Sequence, residues 1–218
     1  MSQLTTKSLL DAARELAGRD EILARILITH GAPPLWRRAT GFPTLVHIIL
    51  EQQVSLKSAK AMLLRLQSAI DPFTPERFVQ LGEMHLRGLG VTRQKSSYLL
   101  HLSESILSGE FSFKRLARLD NRDAQVYLTR IKGIGSWSAD VYLLMALRRA
   151  DIWPAGDLAL AVAAQELLRL EKRPAPAELE QIAERWRPYR AVAARMLWQH
   201  YLGRKSAARV TSQSSMQS

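Results

Sequence analysis

The stretch that decides the fold reads LTRIKGIGSWSADVYLLMALRRADIWPAGD and spans residues 128–157. Two helical patterns flank a tight turn between Gly133 and Gly135, and Asp157 stands at the start of a further helix. Glycine tolerates positive φ and has no Cβ, so another backbone can approach closely. The amides that open the next helix, from Ser136 onward, carry partial positive charge and predict a phosphate site. An ordinary turn between helices is the competing interpretation, since this motif alone is weak.

The hydrophobic pattern is helical nearly throughout, and no stretch shows the sustained alternation typical of a strand. Capping residues, glycines and prolines predict helices over two segments within 5–30, then 42–52, 56–70, 75–81, 92–107, 113–119, 121–131, 136–148, 157–170, 176–185 and 188–202. We therefore predict an all-α fold of two helical lobes with a groove between them. Within residues 1–203, the N-terminal segment would return to pack with the C-terminal helices. Residues 204–218 are polar and serine-rich, which predicts a disordered tail.

The composition favours a globular protein that binds a polyanion. The 218 residues are 47% hydrophobic, and 31 Lys and Arg against 20 Asp and Glu give a net charge of +11. Cations that bind phosphates release condensed counterions, so nucleic acid is the favoured partner, although a dispersed surface charge is the alternative. The chain has no cysteine, which excludes disulfides, thiolate zinc sites and cysteine-ligated iron–sulfur clusters. The histidines show no metal-ligand spacing.

The sequence also favours an intracellular location. The first eighteen residues are amphipathic and polar, unlike a signal peptide, and no apolar run approaches the ~18–20 residues that span a bilayer. We therefore expect a soluble monomer with no membrane partner. It would be cytoplasmic and associated with the nucleoid in a bacterium, or nuclear in a eukaryote.

Several motifs in the same order resemble the helix–hairpin–helix DNA glycosylase superfamily, and within it the compact form of the 3-methyladenine glycosylase II group. They are IKGIGSWSADVYLL (131–144), PAGD (154–157), LEQQVSLKSAK (50–60), GLGVTRQKSSYL (88–99) and WRPYRAVAARMLW (186–198), which together cover roughly residues 40–202. The resemblance implies a DNA-binding groove, a helix–hairpin–helix motif and duplex DNA with damaged bases as the partner. The hairpin residues implied to contact DNA are Gly133, Ile134, Gly135 and Ser136.

The resemblance implies that Asp157 is the catalytic carboxylate, because it lies twenty residues after Trp137, as in the superfamily. Bifunctional members carry a lysine at the position of Trp137, which attacks the sugar. An indole has no amine and cannot form a Schiff base. The implied enzyme is thus a monofunctional glycosylase that flips and hydrolyses alkylated purines such as 3-methyladenine and 7-methylguanine. A plain helix N-cap is the other interpretation of Asp157.

A flipped cationic base favours aromatic surroundings. By resemblance the implied base pocket contains Trp137, Trp198, Phe42 and Val141, with Trp36 and Tyr189 as weaker candidates. Val141 stands where the resembled group has a tyrosine, which implies a wider or less stacked pocket. Core packing is the alternative for each of these side chains, and it is favoured for Phe42 and Tyr189.

Further DNA contacts are implied outside the hairpin. Gln53 matches the wedge that fills the gap left by a flipped base, while Gln52 is expected to pack at the turn. Arg93, Gln94 and Lys95 are candidate phosphate contacts, with solvated charge as the alternative. The resemblance also implies a monovalent Na⁺ or K⁺ on the backbone carbonyls of Thr129, Ile131 and Ile134. No cofactor is expected to be required, and no iron–sulfur cluster.

The same residues are compatible with three other functions. A non-catalytic helix–hairpin–helix DNA-binding protein would keep the hairpin and the charge but would not require Asp157 or an aromatic pocket. A glycosylase for deaminated purines such as hypoxanthine would keep both. A helical protein-binding domain would have its charge by coincidence, and its DNA affinity would survive mutation of the hairpin.

Overall fold

The computed structural model describes the backbone of residues 3–214 and the side chains of residues 3–204. Within these residues the protein is entirely helical, which confirms the predicted fold class. The helices are α1 (Thr6–Arg19), α2 (Glu21–His30), α3 (Phe42–Glu51), α4 (Leu56–Ala69), α5 (Pro75–Gly88), α6 (Arg93–Leu107), α7 (Phe113–Arg118), α8 (Asn121–Thr129), α9 (Ser136–Met145), α10 (Leu158–Leu167), α11 (Pro176–Ala183) and α12 (Arg190–Ser214), with a 3₁₀ turn at Glu184–Trp186. Among the described helices, none is long and apolar enough to cross a membrane.

The chain divides into two compact units. One, here called the split unit, consists of the residues up to Trp36 together with those from Arg148 onward. The other, the continuous unit, is the uninterrupted segment Arg37–Leu147. The split unit therefore contains the first two and the last three helices, and the continuous unit contains α3 to α9.

In the split unit, Asp20 joins the N-terminal helices to the C-terminal segment. Its Oδ1 accepts the amides of Ile22 and Leu23 and so caps α2, at 2.9 and 3.1 Å. Its Oδ2 accepts the indole N–H of Trp186 at 2.8 Å. Because Trp186 is only 1% exposed, this bond satisfies a polar group in the core. The core around it is formed by leucines and isoleucines of α1 and α2, namely Leu9, Leu16, Leu23 and Ile26.

In the continuous unit, α3 is the central apolar helix. Pro43 lies in its first turn, where a missing N–H costs no hydrogen bond. The loop before it is fixed by Tyr142, whose hydroxyl accepts the amide of Gly41 at 2.9 Å. Burial raises the pKa of Tyr142 to about 12. The side chains of Leu45, Ile48 and Ile49 are fully buried on α3.

Helix α5 consists of two helical segments, and α12 is longer than predicted. The helical conformation of α5 breaks at Gly82, which has φ +70° and ψ 177°, so the first segment ends near Leu81 as predicted and a second segment continues to Gly88. Helix α12 runs to Ser214 rather than ending near residue 202. Residues 204–209 contain Arg, Lys and Ala, which favour helix, and no proline to stop it. The backbone is therefore helical over much of the segment predicted to be disordered, while residues 215–218 lie outside the described residues.

Candidate functional site

Asp157 lies at the start of α10 and caps that helix. Its Oδ1 accepts the amide of Leu160 at 3.0 Å, and its own amide donates to the Pro154 carbonyl at 2.9 Å. The side chain is half-buried, and the preceding Gly156 and following Leu158 are exposed. The carboxylate therefore lies at the positive end of the α10 helix dipole. The N-cap interpretation is thus confirmed, and it is compatible with a catalytic function.

Trp198 is bonded to the same oxygen of Asp157. Its indole Nε1 donates to Asp157 Oδ1 at 3.0 Å. The ring is only 8% exposed, and the half-buried Trp36 packs against it edge to face, with centroids 6.2 Å apart. The sequence had implied stacking for Trp198, whereas its N–H contact with the carboxylate was not foreseen. No local pattern could have revealed it, because 41 residues separate the two partners.

The buried Arg195 fixes the Trp36 segment onto α12. Its Nε donates to the Leu35 carbonyl and its Nη1 to the Ala191 carbonyl, both at 3.1 Å. Burial lowers the pKa of Arg195 to about 10, so the guanidinium remains charged at neutral pH. These bonds hold Leu35, the residue before Trp36, against Arg195, which lies one helical turn before Trp198 on α12.

An ion-pair network holds the loop that leads to Asp157. Asp151 accepts Arg190 Nε at 2.8 Å and Arg187 Nη1 at 2.6 Å. Glu184 pairs with both arginines, and its hydrogen bond with Arg187 lowers the pKa of its carboxyl. Tyr189, a weak pocket candidate, is half-buried in the turn between these two arginines. Sequence reasoning missed this network, because Asp151 lies 36 and 39 residues from its two arginine partners.

The hairpin between α8 and α9 contains two glycines with different functions. Gly133 has φ +88°, and a Cβ there would lie 2.3 Å from the Tyr98 ring. Gly133 is therefore required by packing against α6. Gly135 is the N-cap of α9, and a Cβ there would meet no atom within 4 Å. The buried Ile134 anchors the turn, whereas Gly135 and Ser136 are exposed. The open side of the hairpin is thus at Gly135.

The turn between α3 and α4 is bonded to the hairpin. Gln52 Nε2 donates to the Gly133 carbonyl at 2.7 Å and to Ser138 Oγ at 3.1 Å, which confirms the packing function predicted for Gln52. Gln53, the predicted wedge, is exposed and adopts φ +57°. Its exposed side chain is accessible to a ligand, and its insertion into DNA stays a prediction.

The three candidate phosphate contacts on α6 make different contacts in the structure. Lys95 Nζ donates to the Leu50 carbonyl at 2.8 Å and so caps the last turn of α3, and burial lowers its pKa. Its predicted phosphate contact stays a prediction. Gln94 donates to the Tyr98 hydroxyl at 2.8 Å and supports the ring behind Gly133. Arg93 is 84% exposed and lies 3.7 Å from Glu83. Its predicted phosphate contact stays a prediction.

Two of the predicted pocket residues are almost completely buried. Phe42 is 5% exposed and packs against Phe73 and Phe78, with centroids at 6.1 and 5.1 Å. Val141 is 2% exposed within α9. Apolar burial is compatible with core packing for both side chains, and their places in a base pocket stay predictions. Trp137 is half-buried in the first turn of α9, and its place in a base pocket stays a prediction.

The predicted monovalent cation site lies at the same hairpin. The Ile131 carbonyl accepts the Ile134 amide at 2.9 Å and closes the turn. A carbonyl oxygen has a second lone pair, so this bond does not prevent coordination. Among the described residues, no group of three or more histidine or acidic side chains is placed to hold a metal ion.

Comparison with known proteins places these features in one family. Residues 46–188 match the sequence profile of the HhH-GPD superfamily base excision DNA repair proteins. The chain is 31% identical over 198 residues to DNA-3-methyladenine glycosylase 1 of Schizosaccharomyces pombe, covering 88% of this chain and 87% of that protein.

Solved structures give the same result. The S. pombe 3-methyladenine DNA glycosylase in complex with abasic DNA aligns with a TM-score of 0.76 at 28% identity, over 87% of this chain and 95% of that one. The DNA-3-methyladenine glycosidase of Bacillus halodurans aligns with a TM-score of 0.78 at 28% identity, over 92% and 93% of the two chains.

Proposed function

This chain belongs to the HhH-GPD superfamily of base excision DNA repair proteins, and from that premise we propose that it is a monofunctional DNA glycosylase that excises alkylated purines from duplex DNA. The observation that carries the proposal is the placement of Asp157. A half-buried carboxylate lies at a helix N-terminus and is held there by an indole N–H and a backbone amide. The names of the relatives favour 3-methyladenine as the base released, and the resemblance in the sequence adds 7-methylguanine as a further candidate.

Asp157 would act on the sugar of the flipped nucleotide. Cleavage of an N-glycosidic bond develops oxocarbenium character at C1′, which a nearby carboxylate stabilises electrostatically. The same carboxylate can orient or deprotonate the attacking water. An alkylated purine is already cationic and leaves as a neutral base, so the reaction requires little acid assistance.

The product would be an intact strand with an abasic site. A lyase needs an amine that forms a Schiff base with the sugar, and the position that supplies it in bifunctional relatives holds Trp137 here. The strand should therefore break only when alkali is added. This outcome separates the proposed activity from that of a glycosylase with an intrinsic lyase step.

The continuous unit would bind the DNA backbone. The open N-terminus of α9 at Gly135 and Ser136 offers amides to a phosphate, and the exposed Gln53 would fill the gap left by the flipped base. A Na⁺ or K⁺ on the carbonyls of Thr129, Ile131 and Ile134 would add positive charge at the same hairpin. No cofactor is needed for hydrolysis, and the protein would act wherever the cell keeps its DNA.

The test is release of free base from methylated duplex DNA by the wild-type protein and by Asp157→Asn. Asp11→Asn is the matched control, because Asp11 is an exposed carboxylate on α1 of the same unit. We expect release by the wild type and the control, loss of at least about 100-fold in Asp157→Asn, and nicking only after alkali. Binding to the methylated duplex without release by any of the three proteins would contradict the proposal and favour a non-catalytic DNA-binding protein. Release of hypoxanthine but not of methylated bases would favour the deaminated-purine enzyme.

A further inference from the structure

We propose that a cationic cavity in the continuous unit binds a phosphate group, either one of the DNA backbone or a free phosphate. The cavity, here called the arginine cavity, lies among α6, α7 and α8 and has a volume of about 320 Å³. This volume falls within the ~300–1,000 Å³ typical of small-molecule sites in proteins. Asp157 belongs to the split unit, so the arginine cavity is not the site that cleaves the base.

The lining of the cavity carries positive charge that no carboxylate neutralises. Arg115 and Arg130 both line it and are exposed, and within residues 3–204 neither guanidinium forms an ion pair. The α6 side adds polar groups without negative charge, since His101 Nδ1 lies 3.5 Å from Ser105 Oγ. Among the described residues, Glu110 is the one acidic side chain of the lining. A guanidinium is a permanent cation with a planar fork of N–H donors that matches phosphate oxygens, so this lining favours a phosphate group.

Arg115 is oriented by an aromatic platform and not by a carboxylate. Its guanidinium lies over the Tyr127 ring, 5.1 Å from the centroid. That ring is only 6% exposed and stacks on Phe111, with centroids 5.2 Å apart. The Tyr127 hydroxyl accepts the Ser112 amide at 2.9 Å and donates to the Glu110 carbonyl at 3.0 Å, which fixes the ring. A cation–π contact holds the guanidinium in place and leaves its N–H donors available, so Arg115 is pre-organised for an anion.

The arginine cavity borders the hairpin between α8 and α9. Ile131 lines the cavity, and its carbonyl accepts the Ile134 amide that closes the turn. Arg130 is the C-cap of α8 and directly precedes Ile131. A DNA strand with one phosphate at the Gly135 end of the hairpin carries further phosphates, one for every ~3.4 Å along the helix axis. With the DNA backbone as the source of the phosphate, the inference rests on the proposed function, whereas binding of a free phosphate would be independent of it.

The test compares two double variants that remove the same charge from the same region. The cavity variant combines Arg115→Gln with Arg130→Gln. The control variant combines Arg118→Gln with Arg122→Gln, because these two exposed arginines of α7 and α8 do not line the cavity. All four side chains are exposed, so both variants should unfold close to the wild-type temperature, and thermal unfolding checks this.

The first measurement is the affinity for undamaged duplex DNA as the salt concentration rises. If the DNA backbone occupies the cavity, the slope of the logarithm of the binding constant against the logarithm of the salt concentration becomes shallower by about one in the cavity variant. This change corresponds to the loss of one phosphate contact, and the control variant should keep the wild-type slope.

The second measurement is a calorimetric titration with inorganic phosphate, which identifies the other source. If the ligand is a free phosphate, the wild type and the control variant bind inorganic phosphate and the cavity variant does not. The salt dependence of DNA binding is then the same in all three proteins.

The inference is overturned if the two double variants have equal slopes and the cavity variant loses no binding of inorganic phosphate. Release of free base from methylated duplex DNA by the wild type is measured in parallel. Base release together with that result would remove the inference alone. A wild-type protein that releases no base, accompanied by the expected change of slope in the cavity variant, would instead remove the proposed glycosylase activity and leave the phosphate site standing.

Discussion

At the scale of single residues, the two hairpin glycines are chemically identical and structurally different. Gly133 combines φ +88° with a ring carbon 2.3 Å from the position of an added Cβ, whereas Gly135 has φ −84° and open space. A motif written as Gly-Ile-Gly therefore contains one glycine selected by packing against Tyr98 and one that leaves an approach open to a ligand. This difference can be measured.

We predict that Gly133→Ala destabilises the protein by about 2–4 kcal/mol, because it adds backbone strain and an overlap with Tyr98. Gly135→Ala should cost about 1 kcal/mol or less in stability, since alanine is only a poorer N-cap, but it should weaken DNA binding. Thermal unfolding and fluorescence-anisotropy titration with duplex DNA check the pair. Equal stability losses in the two variants would contradict the assignment.

Tyr142 gives a prediction about alkaline stability. Burial raises its pKa from 10.0 to about 12 in the folded protein, so the folded state retains a proton that the unfolded chain releases. Its stabilising contribution is complete below pH 10 and is lost as the pH rises to 12, by about 3 kcal/mol. Tyr142→Phe cannot ionise, so its free energy of unfolding should fall less steeply than that of the wild type between pH 10 and 12. Parallel curves from denaturant titrations would refute this.

At the scale of elements, the turn between α3 and α4 and the hairpin behave as one assembly through Gln52. The side-chain amide satisfies the Gly133 carbonyl and Ser138 Oγ, both in the continuous unit. The adjacent Gln53 has the same side chain but is exposed. The two glutamines form a matched pair in which only one has a structural function.

We predict that Gln52→Ala lowers the free energy of unfolding by about 1–3 kcal/mol, because it removes the donor to the half-buried Gly133 carbonyl and to the buried Ser138 hydroxyl. Gln53→Ala should leave stability within about 0.5 kcal/mol and should slow base release from duplex DNA, where the wedge would act. Chemical denaturation measures the two stability changes, and a base-release assay measures the change in rate. Should Gln53→Ala be the more destabilising of the two, the assignment of the bonded and the exposed glutamine is reversed.

The elements themselves were largely predictable, because helix starts are set by local chemistry. Ser55 and Thr92 cap α4 and α6 as predicted, accepting amides three residues ahead at 3.1 and 3.3 Å. The helical segment that follows the break at Gly82 was not predicted, since a glycine within a helical pattern can either end or bend the helix.

The site was predictable only in part. Asp157 and the hairpin belong to short sequence motifs, and both lie at the helix N-termini that those motifs predict. The contacts of Lys95 with Leu50 and of Trp198 with Asp157 join residues 45 and 41 positions apart. Whether such a side chain meets DNA or another helix depends on tertiary packing, which sequence periodicity does not contain. For Phe42 and Val141 the pattern predicted apolar character but not how deeply each side chain is buried.

At the scale of the whole molecule, the two units differ in how the chain builds them. The continuous unit begins and ends at adjoining positions, since the Arg38 amide donates to the Met145 carbonyl at 3.1 Å. The split unit needs both termini of the chain. Two hydrogen bonds join its N-terminal and C-terminal segments. The Leu4 amide donates to the Arg148 carbonyl at 2.8 Å, and the Trp186 indole N–H donates to the Asp20 carboxylate.

We therefore predict that the fragment 37–147 folds alone, because every helix from α3 to α9 and their shared core lie within it and its ends are close together. The fragment 148–218 should not fold alone, since it lacks the residues up to Trp36 that complete its core. Circular dichroism and thermal unfolding distinguish a cooperative transition from a gradual one. The fragment 37–147 should also bind duplex DNA with an affinity that falls as salt rises, yet release no base, because Asp157 lies outside it. A cooperative transition in 148–218, or its absence in 37–147, would show that the folding units do not follow this division of the chain.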